Sequence, residues 1–370
     1  MTARRTLLGL AAAALLAGCG TSKPKPAELG PDPHLLGVRQ AWSARVGRVD
    51  LPLDVHVSGA QVALASSDGT VLALDARSGR ELWRGAVKGR LSAGVGSDGQ
   101  RAAVATQDNE IVALEAGREL WRQRLTAQVV TAPLVAGGRV FVLATDRSVT
   151  ALDGGSGRRL WSQQRPGDPL VLSQSGVILA VGDTLVVGLG GRLVGLNPTN
   201  GQVRWDVPIA APRGTNDVER LVDLVGRVSR VGDSVCARAY QASLGCVDAG
   251  RGVLAWSKPS AGYQGVHGDE RMVYGPEADG RLVAWRRSDG ERAWVSERLR
   301  YRRLTAPLAL GRSVIVGDET GLVHFVSRED GSPLTRVATD GSPIAAAPVV
   351  AEDTLVVVTR NGGVFGFVPE

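Results

Sequence analysis

Four histidines, three cysteines and a set of turn aspartates are the residues of this chain whose types could carry chemistry. His34, His56, His267 and His324 stand far apart, and none has a second His, Cys or Glu at metal-ligand spacing. His324 falls in an alternating apolar segment, where a packed or edge histidine is expected. Asp68, Asp98, Asp146 and Asp318 occupy turn positions, where aspartate bonds its own backbone. The stretch GLGGRLVG (188–195) leads into a strand pattern, so no helix N-terminus meets a phosphate there. No nucleophile elbow and no Ser/His/Asp set is present, and no two cysteines are adjacent. Cys236 and Cys246 share one expected hairpin. With a two-residue turn they face opposite sides; a bulge or a three-residue loop around Gln241 brings them together as a disulfide. These residues point to no catalytic site, no metal and no cofactor.

The third cysteine has a different context. Arg4 and Arg5 precede an apolar run from Leu7 to Leu16, which is half the ~20 residues that span a bilayer. The run ends in Leu16-Ala17-Gly18-Cys19, which resembles the lipobox of bacterial lipoproteins. That resemblance implies a signal peptide over 1–18 and a diacylglycerol thioether on Cys19. Gly20, where such proteins carry Asp when retained at the inner membrane, implies the periplasmic face of the outer membrane. The expected layout is a lipid-anchored, Pro-containing flexible tether over 19–40 and one folded body over 41–370. Export also permits disulfides.

Composition excludes other classes. The chain has 370 residues, 44% hydrophobic and 22% charged, ample for a large core and against intrinsic disorder. The formal charge is +6, and removing Arg4 and Arg5 leaves the mature chain near +4. Arg300, Arg302 and Arg303 are the densest basic group, and no basic stripe with interleaved aromatics exists, which argues against nucleic acid.

Among 16 aromatics, 8 are Trp, a skew that signals a repeated structural use. Trp83, Trp121, Trp161, Trp205, Trp256 and Trp294 each lie four residues after a Gly, Trp42 stands before the first copy, and of the rest only Trp285 is out of register. GTVLALDARSGRELW (69–83) recurs as RSVTALDGGSGRRLW (147–161) and GRLVGLNPTNGQVRW (191–205), and in shorter form as NEIVALEAGRELW (109–121). The copy at 321–335 keeps the frame with Thr335 in place of Trp. Upstream of each copy, apolar runs alternate at strand period. One repeat of ~40 residues holds four short strands, a propeller blade. The expected fold is all-β: an eight-bladed β-propeller of four-stranded antiparallel blades with tryptophan docking. The truncated eighth copy, 362–367, is closed by the N-terminal strand AWSARV (41–46).

The repeat is similar to the tryptophan-docking repeat of quinoprotein dehydrogenases, A-x-D-x-x-x-G-x-x-x-W. With the lipobox and tether, the chain resembles the BamB family, lipoproteins of the outer-membrane β-barrel assembly machinery. Two stretches carry this: GTNDVERLVDL (214–224), like the family's G-S/T-x-E/D-I/V-D/E-R-L-x-D-V, and DPLVLS (168–173), like its L-x-L-R loop. The resemblance implies a non-catalytic scaffold docking the POTRA domains of BamA, within the rest of that complex, and is compatible with contact to nascent outer-membrane proteins. Leu170 and Leu172 match the two leucines, Ser173 stands where the family has Arg, and Arg220, Leu221 and Asp223 fall in the second loop. Val225 stands where a second acid often occurs. Other readings of these residues are that Leu170 and Leu172 merely open a strand and that Arg220 pairs with Asp223. The alternative class is a quinone-dependent oxidoreductase or ligand-binding propeller.

Overall fold

The structure is a computed structural model that describes residues 24–166, 170–212, 215–216 and 221–370. The described residues form eight four-stranded antiparallel sheets and contain no helix. Blades 1 to 7 are consecutive meanders; blade 1, for example, runs through His56–Ser58, Gln61–Ala65, Thr70–Asp75 and Glu81–Ala86. Blade 8 takes its three inner strands from Val349–Ala351, Thr354–Val358 and Gly363–Pro369, and its outer strand from Val38–Arg45. The two chain ends thus close the ring, as expected from the unpaired copies. The closing strand starts at Val38, three residues before the boundary read from sequence.

The second and third strands of each blade are apolar on both faces because each face meets a neighbouring blade. In blade 1, Val62 to Ala65 and Val71 to Leu74 are all at most 2% exposed. Outer strands are mostly exposed, with a single buried residue each in blades 1 to 3.

The Gly–Trp period has a joint cause. Each docked Trp leaves its own blade and lies on the turn glycine of the next. Gly157, at φ +72°, opens the turn of blade 3, and a Cβ there would sit 2.7 Å from the Trp121 ring of blade 2. Trp121 Nε1 then donates to Gly154 O at 2.9 Å. The same seat holds Trp42 on Gly79, Trp161 on Gly201, Trp205 on Gly252, Trp256 on Gly290 and Trp294 on Gly331. Glycine is therefore required twice at one position, for positive φ and for ring contact.

Two exceptions follow the same rule. The turn of blade 2 is two residues shorter, and its Gly117 meets the backbone of Arg84 and Gly85, so Trp83 has no glycine seat. Blade 8 has no turn between third and fourth strands, because its fourth strand comes from the other end of the chain. The preceding blade accordingly carries Thr335 where a Trp would have nowhere to dock.

The N-terminal segment covers that gap. Leu35 N–H donates to Leu334 O at 2.8 Å, and Asp32 Oδ2 accepts Arg336 N–H and Thr335 Oγ1. Ala27 N–H donates to Arg300 O at 2.9 Å, and Arg302 donates back to Ala27 O. Leu29 and Leu36 pack against the cores of blades 6 to 8. The expectation of a flexible tether as far as residue 40 is corrected here: from residue 27 the segment is bonded to blades 6 and 7.

Cys236 and Cys246 are joined in a disulfide between directly opposed positions of blade 5. The connection is the three-residue loop Tyr240–Ala242, closed by Gln241 at φ +49°.

Candidate functional site

In each blade, the turn between second and third strands bonds the connection arriving from or leaving for a neighbour. Gln107 N–H meets Arg90 O, Thr145 N–H meets Gln128 O, Tyr240 N–H meets Asp223 O, and Glu319 N–H meets Arg302 O. One face of the ring therefore gathers all long connections, and every partner-binding residue named from sequence belongs to them.

The centre of this face is a funnel of about 880 Å³, lined among others by Ser173, Gln174, Arg227, Tyr263, Arg303 and Glu319. Its floor is tied across the axis. Ser175 Oγ donates to Asp54 Oδ2 at 2.7 Å, joining blades 4 and 1, and Arg227 Nη1 donates to Pro348 O at 2.7 Å, joining blades 5 and 8. Burial raises the pKa of Asp54 against the Ser175 bond and the Arg227 charge. Burial lowers Arg227 to about 10, opposed by Asp54. His267 is pushed down to about 3, by burial first and then by Arg227, Arg287 and Arg328, and its Nδ1 accepts Ala309 N–H at 3.0 Å.

This floor does not suit a calcium-held quinone. Its buried carboxyl, Asp54, is already engaged by Ser175 Oγ. Among the described residues no three His, Cys, Asp or Glu converge as a metal set. The disulfide lies inside blade 5 and does not line the funnel.

Beside the funnel, the connection from blade 3 to blade 4 meets that from blade 4 to blade 5. Asp223 joins them: its Oδ2 accepts Leu172 N–H at 3.0 Å, and its Oδ1 lies 3.8 Å from Arg147 Nη2. Arg147 belongs to the second-to-third-strand turn of blade 3, at φ +64°. Three loops thus converge on one carboxylate whose side chain is 16% exposed. The groove between them, about 190 Å³, is lined by Leu170, Leu221, Pro208, Ala210, Arg147 and Arg192.

The residues named from sequence fall into three groups. Leu170, 39% exposed, and the half-buried Leu221 face the groove together. Leu172 is half-buried and turns into an adjoining pocket with Leu143, Leu189 and Leu224. Ser173 is exposed on the funnel side. Neither leucine opens a strand, since the first strand of blade 4 begins at Ile178. Cys19 and Arg220 lie outside the described residues, and so does the proposed Arg220–Asp223 pair. Sequence reading missed Arg147 and Arg192. Arg192 forms an ion pair with Asp206 at 2.5 Å, and Asp206 also holds Arg165 at 2.7 Å. Nothing in the local motif marks Arg147, because the contact joins residues 76 apart.

A family model described as outer membrane protein assembly factor BamB matches residues 67–296. The chain is 38% identical to outer membrane protein assembly factor BamB of Burkholderia pseudomallei over 367 residues, 97% of this chain and 96% of that one. It is 38% identical to the BamB of Bordetella pertussis over 356 residues, 94% and 92% of the two chains. The fold is similar to the crystal structure of BamB from Moraxella catarrhalis, with a TM-score of 0.81 at 24% identity, covering 90% of this chain and 99% of that one. Quinohemoprotein alcohol dehydrogenase from Comamonas testosteroni shares the fold at a TM-score of 0.69 and 16% identity, covering 91% and 78%.

Proposed function

The chain belongs to the BamB family of outer membrane protein assembly factors, and on that premise we propose that it is a lipid-anchored, non-catalytic scaffold which docks the POTRA domains of BamA through the groove over blades 3 and 4. Its place is the periplasmic face of the outer membrane, held there by Cys19. The observation that carries the docking site is the convergence of Leu170 and Leu221 on one groove whose walls carry Arg147 and Arg192. An apolar centre whose wall arginines are already paired with Asp206 and Asp223 suits a protein knob that presents an apolar side chain with a polar rim. Asp223 acts by holding the leucine loop, since its carboxylate already serves Leu172 N–H and Arg147. Ser173 in place of the family's Arg removes one cation from the funnel side of the contact.

The test is binding of the isolated POTRA region to wild type and to Leu170→Asp/Leu221→Asp, the two leucines that face the groove, with folding followed by circular dichroism. Placing two carboxylates at an interface centre costs about 2 kcal/mol or more, a loss of ~30-fold or more. A folded double variant that binds like wild type refutes the groove as the docking site. A quinone absorbance in the purified protein would instead favour the oxidoreductase reading.

A further inference from the structure

The inner strand of blade 5, Leu224–Val231, is 8 residues long, whereas the other inner strands have 2 to 4. Its Val225 and Ser229 pair with Arg238 and Cys236, so it takes four steps where its partner takes two. The surplus residues, 226–228, bulge out of their own blade toward the next. Arg227 C=O accepts Val266 N–H at 2.8 Å, and a Cβ on Gly265 would sit 2.1 Å from Arg227 N. A bulge re-aims a side chain, and this one turns Arg227 onto the floor of the central funnel.

The guanidinium there is only half used. Nη1 donates to Pro348 O at 2.7 Å, and Arg227 makes no other side-chain hydrogen bond and no ion pair among the described residues. Nε and Nη2 remain. Their N–H groups lie side by side on one edge of the plane, the fork that matches both oxygens of a carboxylate. The acids of the funnel do not consume this charge. Glu319 lies 3.5 Å from Arg303, and Asp50 lies 2.9 Å from Arg48. Asp54 is bonded by Ser175 Oγ, and burial makes it hold its proton more readily. Arg360 also lines the funnel and has no ion pair among the described residues.

The walls narrow the kind of anion. On the side of blades 8 and 1 they are apolar, with Leu51, Leu53 and Ile344. Across the ring stand Tyr240, Gln241, Tyr263 and Gln264. Glutamine amides and phenols both donate and accept, as peptide groups do. Burial raises the pKa of Tyr263 and keeps it a phenol. A volume of about 880 Å³ has room for several residues of chain.

We propose that the funnel binds the free C-terminus of an extended polypeptide. Its α-carboxylate sits on the Nε–Nη2 edge of Arg227, and its backbone amides meet the Tyr and Gln side chains. Its last apolar side chains lie against Leu51, Leu53 and Ile344. This site is distinct from the groove over blades 3 and 4 and does not rest on POTRA docking.

The experiment titrates the full chain, in detergent, against a fluorophore-labelled hexapeptide ending in valine and leucine. The peptide is used as the free acid and as the C-terminal amide, and binding is read by fluorescence anisotropy. The amide should bind wild type about tenfold more weakly or worse, since it forfeits a charge-assisted pair of hydrogen bonds. Arg227→Gln should abolish the preference for the acid, and Arg227→Lys, which keeps the charge without the fork, should restore only part of it. Equal affinity of acid and amide for wild type overturns the proposal, and so does failure of both to bind. A preference that survives Arg227→Gln puts the carboxylate elsewhere and overturns it too. The acid–amide comparison on wild type needs no variant, so it decides the matter even if Arg227→Gln misfolds. POTRA docking is tested separately by the groove variant and stands or falls on its own.

Discussion

Trp121→Ala tests the rule that each indole is seated on the next blade's turn glycine. Trp121 is 8% exposed, lies on Gly157 and bonds Gly154 O at 2.9 Å. Removing its ring deletes ~200 Å² of buried surface, worth ~5 kcal/mol at 25 cal/mol/Å² as an upper bound. The neighbouring strands can relax partly, so the expected loss is about 3–5 kcal/mol. Trp121→Phe keeps most of the ring and loses the N–H bond, for about 1–2 kcal/mol. Trp83 belongs to the same sequence repeat but is half-exposed and has no glycine seat. Trp83→Ala should therefore cost less than half as much as Trp121→Ala. Urea unfolding followed by far-UV circular dichroism gives all three values. Equal losses at Trp83 and Trp121 would mean that stability follows the repeat itself and not the seat, and would refute the reasoning.

Further expectations concern the disulfide, the buried acid and the loop clamp. Cys236→Ala/Cys246→Ala should destabilise by about 2–3 kcal/mol, because the bridge closes a short loop in the unfolded chain; an unchanged unfolding midpoint under non-reducing conditions would contradict this. Asp318 is 1% exposed and bonds His324 Nε2 at 2.9 Å and Arg302 Nη1 at 3.0 Å. Burial alone would raise its pKa, but the His324 bond and charge, with the Leu322 N–H and Thr320, hold it well below the ordinary carboxylate range. The unfolded chain then takes up the proton first, so this stabilisation is full above pH ~4 and is lost as pH falls below it. Asp318→Asn should cost about 2–3 kcal/mol at pH 7 and remove that part of the acid loss; stability profiles of the two proteins that stay parallel from pH 6 to pH 3 would rule it out. Asp223→Ala and Arg147→Ala should each weaken POTRA binding, and their effects should overlap in the double variant because both act through one loop. Full additivity would mean that the two residues contact the partner independently.

The blade count, the antiparallel order within each blade and the closure by the N-terminal strand were legible in the linear chain. A propeller is built from local pairings: each strand bonds the next, so the period of apolar residues and turns already specifies the neighbours. The unmatched pieces at the two ends implied each other, because an unpaired edge is costly in a closed ring. The lipobox-like tetrapeptide and the two loop motifs were legible for the same reason, being contiguous.

Contacts between blades were not legible, since they join residues whose separation the local pattern does not constrain. The period showed that Gly and Trp recur together, but only the packed ring assigns each Trp to the glycine of the following blade. That assignment also explains the unseated Trp83 and the missing Trp at Thr335. The seat of residues 27–35 on blade 7 depends on hydrogen bonds between residues about 300 apart in sequence. Composition alone, rich in Pro and polar groups, read as a tether. Asp223 illustrates the remaining step. Sequence marked it as a charged loop residue near two leucines, whereas the fold decides that its carboxylate faces inward, to Leu172 N–H and Arg147. A carboxylate's direction is set by which donors the tertiary structure brings within ~3 Å, and no local pattern encodes that distance.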